Sequence, residues 1–490
     1  MRYLLFLHKE GKIRKKLGEL TMSEETNIDL SEWEQASSKK MFSYSMGILI
    51  RNSMAGGTTI LFYYFEVEIG LPVALLGLAF IIFAIWNMFN DPFVGYITDR
   101  PFRWTKKWGM RYPWILIGVI PATIFAFILF LSPSADPANP WPIFWYFLII
   151  SCLSDIFFSI FTTNFNAAYI THFPTDAERR KSSAINNIIP TLLWLPWSFI
   201  GPLIIVYGDK QTFILTAFIT LLIRLLVVLF LIPGIRESEE LKNRFLHGYI
   251  NKEKKERESY WKIMKRAFKR KNFSSTLFAF LLLSLAATLY TASGIYFMKD
   301  VLRLPLYYTI YIYSAAFIGF LIFIPFWFRM MNKYGAAKIL KLSLILVALA
   351  YIPILWINTI EETLIFGFIG GVVTGAFYIS IGPVAADVYD ECTISDGKHQ
   401  EATYEGIRTF FYRFALIFQA IIFTIVHILT AYNPDPHAIQ NTLAIWGIRI
   451  HMGLIPSICA LIAFVIMFKW FDLEGEKKLA VKKKLKEMGL

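Results

Sequence analysis

The sequence predicts an all-α membrane protein of twelve transmembrane helices, arranged as two pseudo-symmetric six-helix bundles. Three observations carry that expectation. The 490-residue chain is 56% hydrophobic and only 17% charged, with a mean hydropathy of +0.50, whereas a soluble chain carries about 25% charge. Twelve apolar windows of about 20 residues follow one another, each long enough as a helix to cross a ~30 Å hydrocarbon core. The two halves also echo each other. "YYFEVEIGLP" (63–72) and "YFMKDVLRLP" (296–305) end in Leu-Pro 233 residues apart, and at the same offset Pro92-Phe93 matches Pro325-Phe326.

Taken in order, residues 1–40 form a polar lead. Its "YLLFL" (3–7) is too short for a signal-peptide core, and Met22 is an alternative start. The first bundle, 41–233, holds windows at 41–65, 73–97, 113–132, 142–171, 184–206 and 212–233. A connector, 234–273, carries thirteen basic residues. The second bundle, 274–471, holds windows at 274–299, 307–329, 339–358, 364–388, 405–430 and 449–471, and a basic tail, 472–490, closes the chain. The connector reads either as a surface amphipathic helix, with Tyr260, Trp261, Met264 and Phe268 against lipid headgroups, or as a solvated run of charge.

Lys and Arg set the orientation. The segment 98–112 carries Arg100, Arg103, Lys106, Lys107 and Arg111, and 172–183 carries Arg179, Arg180 and Lys181. The linkers 66–72, 133–141 and 359–363 carry no Lys or Arg. Both termini and the connector are therefore expected to be cytoplasmic, in a multi-pass protein of the cell (plasma) membrane. The net charge of +13 sits in short blocks between apolar runs, which argues for loops at a membrane and against a nucleic-acid partner. Cys152, Cys392 and Cys459 form no CxxC and no metal set. No nucleophile with a base, phosphate loop or His/Cys cluster is visible, so no enzyme activity, metal or cofactor is expected beyond a transported H⁺ or Na⁺. The expected partners are the bilayer and a small-molecule substrate, with the monomer as the working unit. A six-plus-six layout with an internal echo suggests a duplicated transporter whose site lies between the halves.

Polar residues inside apolar windows are the candidates for that site, because a charged side chain near the bilayer centre costs about 2.5–3.5 kcal/mol on insertion scales. Asn87 and Asp91 fall four residues apart on one helix face, and Pro92 removes a backbone N–H beside them. Asp91 reads either as a cation-binding acid or as an interfacial acid paired with a nearby base. Asp155, Ser159, Thr162 and Asn166 form one polar stripe, facing a cavity or another helix. Arg51 and Asn52 sit beside "AGG". Glu405, Arg408 and Arg413 lie in the eleventh window; Arg413 needs an acid, an anion or hydroxyls, with Asp155 and Asp91 as candidate counter-charges. Asp387 and Asp390 fall where the tenth helix ends in "AADVYDE", and with Glu401 and Glu405 they are assigned to a cytoplasmic gate. His427 and His451 read as pH sensors or as ordinary interfacial packing.

At "NDPFVGYITDRPFRWTKKWGMRYPWILIG" the chain resembles the glycoside–pentoside–hexuronide cation symporters of the major facilitator superfamily. "SYSMGILIRN", "FPTDAERR" and "AADVYDECTISDGKHQEATYEG" extend the resemblance over most of 41–471. It implies alternating access with substrate between the halves. Compared with melibiose permeases, Asp91 matches one of two cation-binding acids and the other falls on Asn87. The sugar-binding acid of the first helix falls on Asn52, beside a basic neighbour, Arg51. A further acid falls on Thr163 or Asn164, a tryptophan position on Tyr378, and a lysine on Arg413. Asp99 and Arg100, with Arg103, Lys106, Lys107 and Arg111, become the gate latch. With one carboxylate replaced, H⁺ is favoured over Na⁺ as the coupling ion, because several converging oxygens suit Na⁺ whereas a lone Asp can still exchange a proton. The expected cargo is a sugar, glycoside or related small solute, with a lysolipid as the alternative. "NMFND" is also the first part of an intramembrane prenyltransferase's Mg²⁺ signature, but Gly95 stands where its next aspartate belongs, and twelve spans are too many.

Overall fold

The computed structural model describes residues 36–98, 102, 104–173, 176–239, 242, 260–397 and 401–487. Each apolar window becomes one helix: α1 (Ser38–Tyr63), α2 (Val73–Thr98), α3 (Tyr112–Ile128), α4 (Trp141–His172), α5 (Asp176–Ser198) and α6 (Lys210–Ile235) in the first half. The second half holds α7 (Lys271–Tyr296), α8 (Thr309–Tyr334), α9 (Ala336–Tyr351), α10 (Ile360–Asp396), α11 (Glu401–Leu429) and α12 (Thr442–Trp470). Eleven helices among the described residues are long and apolar enough to cross a membrane. α1 has the length, at 26 residues, but Arg51, Asn52 and its serines keep it more polar. Among the described residues there is no strand, only an antiparallel bridge between Asp136 and Asn139.

Local chemistry sets the ends. Asp209 and Asn441 accept from the backbone N–H of Gln211 (3.0 Å) and Ala444 (2.8 Å) at the starts of α6 and α12, covering donors that helix starts leave unpaired. Thr359 and Glu362 form a reciprocal capping box on α10. Pro190 and Pro196 lie inside α5, and after Ser198 the chain resumes as a short helix, Ile200–Ile204; each proline removes a ladder hydrogen bond.

The echo in the sequence is an echo in the backbone. α1 runs into a π-turn at Tyr64–Glu68 and α7 into one at Phe297–Val301, 233 residues on at both bounds. Leu71 N–H donates to Phe65 O at 2.9 Å, and Leu304 N–H to Met298 O at 3.0 Å. Gly70 and its counterpart Arg303 both take positive φ, 79° and 56°, so the same reversal is made by glycine in one half and by a less tolerant residue in the other.

Among the described residues three apolar clusters lie within single halves, one around Tyr44, Phe161 and Phe165, one around Phe273, Leu340 and Tyr404, and a small one of Trp327, Ile339 and Ala376. A fourth crosses between the halves and contains Phe62, Tyr63, Tyr296 and Phe423. It sits at the far end of the bundle, opposite the end where α1 begins and α12 finishes. Side chains such as Leu203, Leu229, Ile322 and Phe468 are well exposed, as lipid-facing residues must be. α8 and α10 approach closely: a Cβ added at Gly371 would collide with the Ala316 carbonyl.

Of the connector, the helix Tyr260–Phe268 is described. The sequence left a face on headgroups or a solvated run of charge open; Phe268 packs on Phe411 at 5.1 Å and Met264 lies against the second-half core. Trp261 is exposed, edge-on to Phe410. Met264 and Phe268 are thus packed in part on protein, while Trp261 stays on the surface. The tail helix Gly475–Glu487 likewise docks through Lys478, which pairs with Asp387.

Candidate functional site

α2 and α4 meet through a buried polar cluster. Asn87 and Asn90 lie three residues apart on one face of α2. Asn87 Nδ2 donates to Asp155 Oδ1 at 2.7 Å, and Asn90 Nδ2 donates to Asp155 Oδ2 at 2.9 Å and to Ser159 Oγ at 3.1 Å. All four side chains are buried. A carboxylate taken out of water costs several kcal/mol unless its lone pairs are met, and here two amides of the neighbouring helix meet them. Asn87 Oδ1 is buried with no hydrogen-bond partner. A carboxylate, two amides and a hydroxyl therefore meet here, groups whose oxygens are hard donors. No group of three or more His, Cys, Asp or Glu that could hold a metal occurs among the described residues. Of Asp91, one turn beyond Asn87, only the backbone is described.

The stripe on α4 is shared between two neighbours. Asp155 and Ser159 turn to α2, while Asn166 accepts from Arg51 Nη1 of α1 at 3.3 Å; Thr162 bonds back to Phe158 O of its own helix at 3.0 Å. Thr163 and Asn164, alternatives in the sequence, part company. Thr163 lies toward Gly95 of α2. Asn164 accepts from Arg111 Nη1 at 3.0 Å and donates to Ile160 O at 2.9 Å. Asn52 is half-buried on α1. Tyr378 is 63% exposed, its ring 5.5 Å from that of Phe377. The Arg413 guanidinium lies 5.8 Å from the centre of the Tyr412 ring.

At the near end, Asp99, Arg100 and Arg103 lie outside the described residues, and of Glu401 only the backbone is described. The buried Glu237 carboxylate accepts from the backbone N–H groups of Met110 (2.9 Å), Arg111 (2.6 Å) and Tyr112 (3.2 Å), an anion set on the start of α3. Lys107 O accepts from Lys242 Nζ at 2.9 Å, and Lys106 is exposed. Asp387 is held by Lys478, with Lys482 at 3.9 Å. Glu405 accepts from Tyr389 at 2.8 Å and pairs with Arg408. Asp390 is half-buried and has partners of its own.

Two residues escaped the sequence reading. Asn90 was visible inside "FNDP", but its partners lie 65 and 69 residues away. Glu66 was taken as part of a linker and is in fact 2% exposed, with its carboxylate between Tyr296 of α7 and His427 of α11.

Comparison with known proteins adds a family. Residues 43–475 match the family model described as MFS/sugar transport protein. An uncharacterized symporter of Synechocystis sp. is 32% identical over 118 residues, 24% of this chain and 20% of that protein. The sodium-dependent lysophosphatidylcholine symporter 1-A of Danio rerio is 23% identical over 379 residues, 68% of this chain and 65% of that protein. Both matches span less than two thirds of the relative's length. The solved structure of the nucleoside transporter NupG superposes with a TM-score of 0.60 at 16% identity, covering 89% of this chain and 100% of that one, a likeness of fold.

Proposed function

This chain belongs to the family of MFS/sugar transport proteins, multi-pass secondary transporters of the major facilitator fold, and on that premise we propose that it is a cation-coupled symporter of a sugar, glycoside or related small solute. Its moving bodies are 41–233 and 274–471, with substrate held between them by Arg51, Asn52, Tyr378 and Arg413, in the manner of melibiose permeases. The ion sits at Asn87, Asn90, Asp155 and Ser159, beside Asp91. One observation carries this: the buried Asn87 Oδ1 without a partner, on the amide whose Nδ2 bonds the Asp155 carboxylate. An unsatisfied buried oxygen costs about 1–3 kcal/mol, and an amide oxygen cannot recover that by taking a proton, whereas it can ligate Na⁺. Asp155 also supplies from α4 a carboxylate beside position 87, where α2 has an amide. The geometry thus favours Na⁺, against the H⁺ that the sequence favoured.

A lysolipid is the second reading. The Danio rerio relative is a lysophosphatidylcholine symporter by name, and an open groove of about 420 Å³ on the first half, between α1, α5 and α6, is lined by apolar residues including Phe42, Met46, Leu193, Trp197, Val227 and Phe230. The test is uptake into proteoliposomes of sugars, glycosides, uronates and lysophospholipids, with Na⁺ and pH gradients imposed separately. Na⁺-stimulated uptake of a glycoside at fixed pH is expected, lost in Asp155→Asn. Uptake driven by a pH gradient alone would overturn the choice of ion, and uptake confined to lysophospholipids would select the second reading.

A further inference from the structure

The far end of the bundle holds a second buried charge cluster that the coupling site does not use. Glu66 belongs to the first half, at the π-turn of α1, and each of its oxygens is held by the second half. Tyr296 Oη donates to Oε2 at 2.5 Å, and His427 Nδ1 lies 2.8 Å from Oε1. His427 is buried, stacked on Tyr432 at 4.5 Å, and its Nε2 has no partner. The charged and titratable groups around the pair come from every neighbouring element. On α1's turn lies Glu68, bonded by Gly208 N–H at 3.1 Å. On α7's turn Lys299 and Asp300 pair at 2.9 Å, and Asp300 also accepts from Tyr432 at 2.9 Å. On α12 the His451 ring is 5.4 Å from that of His427, and its Nδ1 meets Ser293 Oγ at 2.6 Å.

Lys299 stands at the repeat position of Glu66 but is occupied by Asp300. His427 is then the basic group within hydrogen-bond distance of Glu66. Were the imidazole neutral and Glu66 ionised, closure would bury an uncompensated carboxylate, which costs several kcal/mol. One added proton makes the pair neutral overall, whether it resides on Nδ1 or on Oε1. The two members ride on different halves, so opening the far end separates them and wets both. Apart and in water, neither member holds a proton in place for the other, so the added proton is released to the far side.

We propose that Glu66 and His427 form a proton-binding latch between the halves, and that closing the far end takes up one proton from the far side. The latch rests on the alternating-access reading but not on which ion or solute is carried. It makes far-side pH a regulator of which face is open, separate from the Asp155 site.

Spin labels at Ser134 and Glu361, exposed far-end positions in the two halves, report opening in nanodiscs, with the three native cysteines replaced. With neither Na⁺ nor solute, the closed-to-open ratio should fall as pH rises, by up to tenfold per pH unit, the slope for one linked proton. Glu66→Gln should close the far end with that slope abolished, and His427→Gln should favour opening. The double variant, an uncharged amide pair, should close again without pH dependence. A wild-type ratio unchanged by pH but shifted by solute would overturn the latch and leave transport standing, as would a Glu66→Gln or double variant that keeps the wild-type slope. Labels that move under no condition would overturn both.

Discussion

Replacing Asn87 by Asp would set two carboxylates against each other, because its Nδ2 lies 2.7 Å from Asp155 Oδ1. Like charges at that distance in a buried site cannot both stay ionised without a cation between them. Asn87→Asp is therefore expected to melt lower than wild type in Na⁺-free buffer and to gain more from added Na⁺. Asn87→Leu, which removes the orphaned oxygen and one donor to Asp155, should lose the Na⁺ response altogether. Melting curves in K⁺- and Na⁺-matched buffers decide it; equal Na⁺ shifts in all three proteins would remove Asn87 from the site. Asn87 and Asp155 were each legible in the sequence as costly polar residues in apolar windows. Their pairing was not, because helix periodicity says which residues share a face but not which face of α4 meets α2. Glu66 was hidden for another reason. The apolar window stops at 65, where "EVE" begins, yet the π-turn carries the helix through residue 68 and draws the carboxylate inside.

Elements were more legible than residues, since hydropathy over about 20 residues is a strong signal for a spanning helix. Their ends were less so, because caps are local chemistry that a hydropathy window averages away. The tenth window, 364–388, became Ile360–Asp396 because the Thr359–Glu362 capping box starts it earlier and polar residues continue it. Glu237 is the sharpest case of an end fixed from afar. It follows α6, yet it receives three backbone donors at the start of α3. Glu237→Ala orphans those donors and should cost about 1–3 kcal/mol, whereas Glu237→Gln keeps an acceptor oxygen and should cost less. Thermal unfolding in detergent orders the variants. Equal melting of Glu237→Ala and wild type would show that water replaces the carboxylate.

At the scale of the molecule, the repeat was legible because duplication leaves its mark in sequence and backbone alike, down to the paired π-turns and the positive φ at Gly70 and Arg303. Which end of the bundle faces the cytoplasm is a question of charge. The near end carries the basic segments 98–112 and 172–183, while the far-end linkers 66–72, 133–141 and 359–363 carry no Lys or Arg. A charge bias of that kind sets orientation during insertion, so the near end, with both termini, is expected inside. Single cysteines at Asp136 and Lys255, in an otherwise cysteine-free chain, test this with a membrane-impermeant maleimide added to intact cells. Asp136 lies in an exposed far-end turn and should label, while Lys255 should label only after the cells are opened. The reverse pattern would invert the molecule in the bilayer. It would also place the Glu66–His427 latch on the cytoplasmic face, where internal rather than external pH would control it.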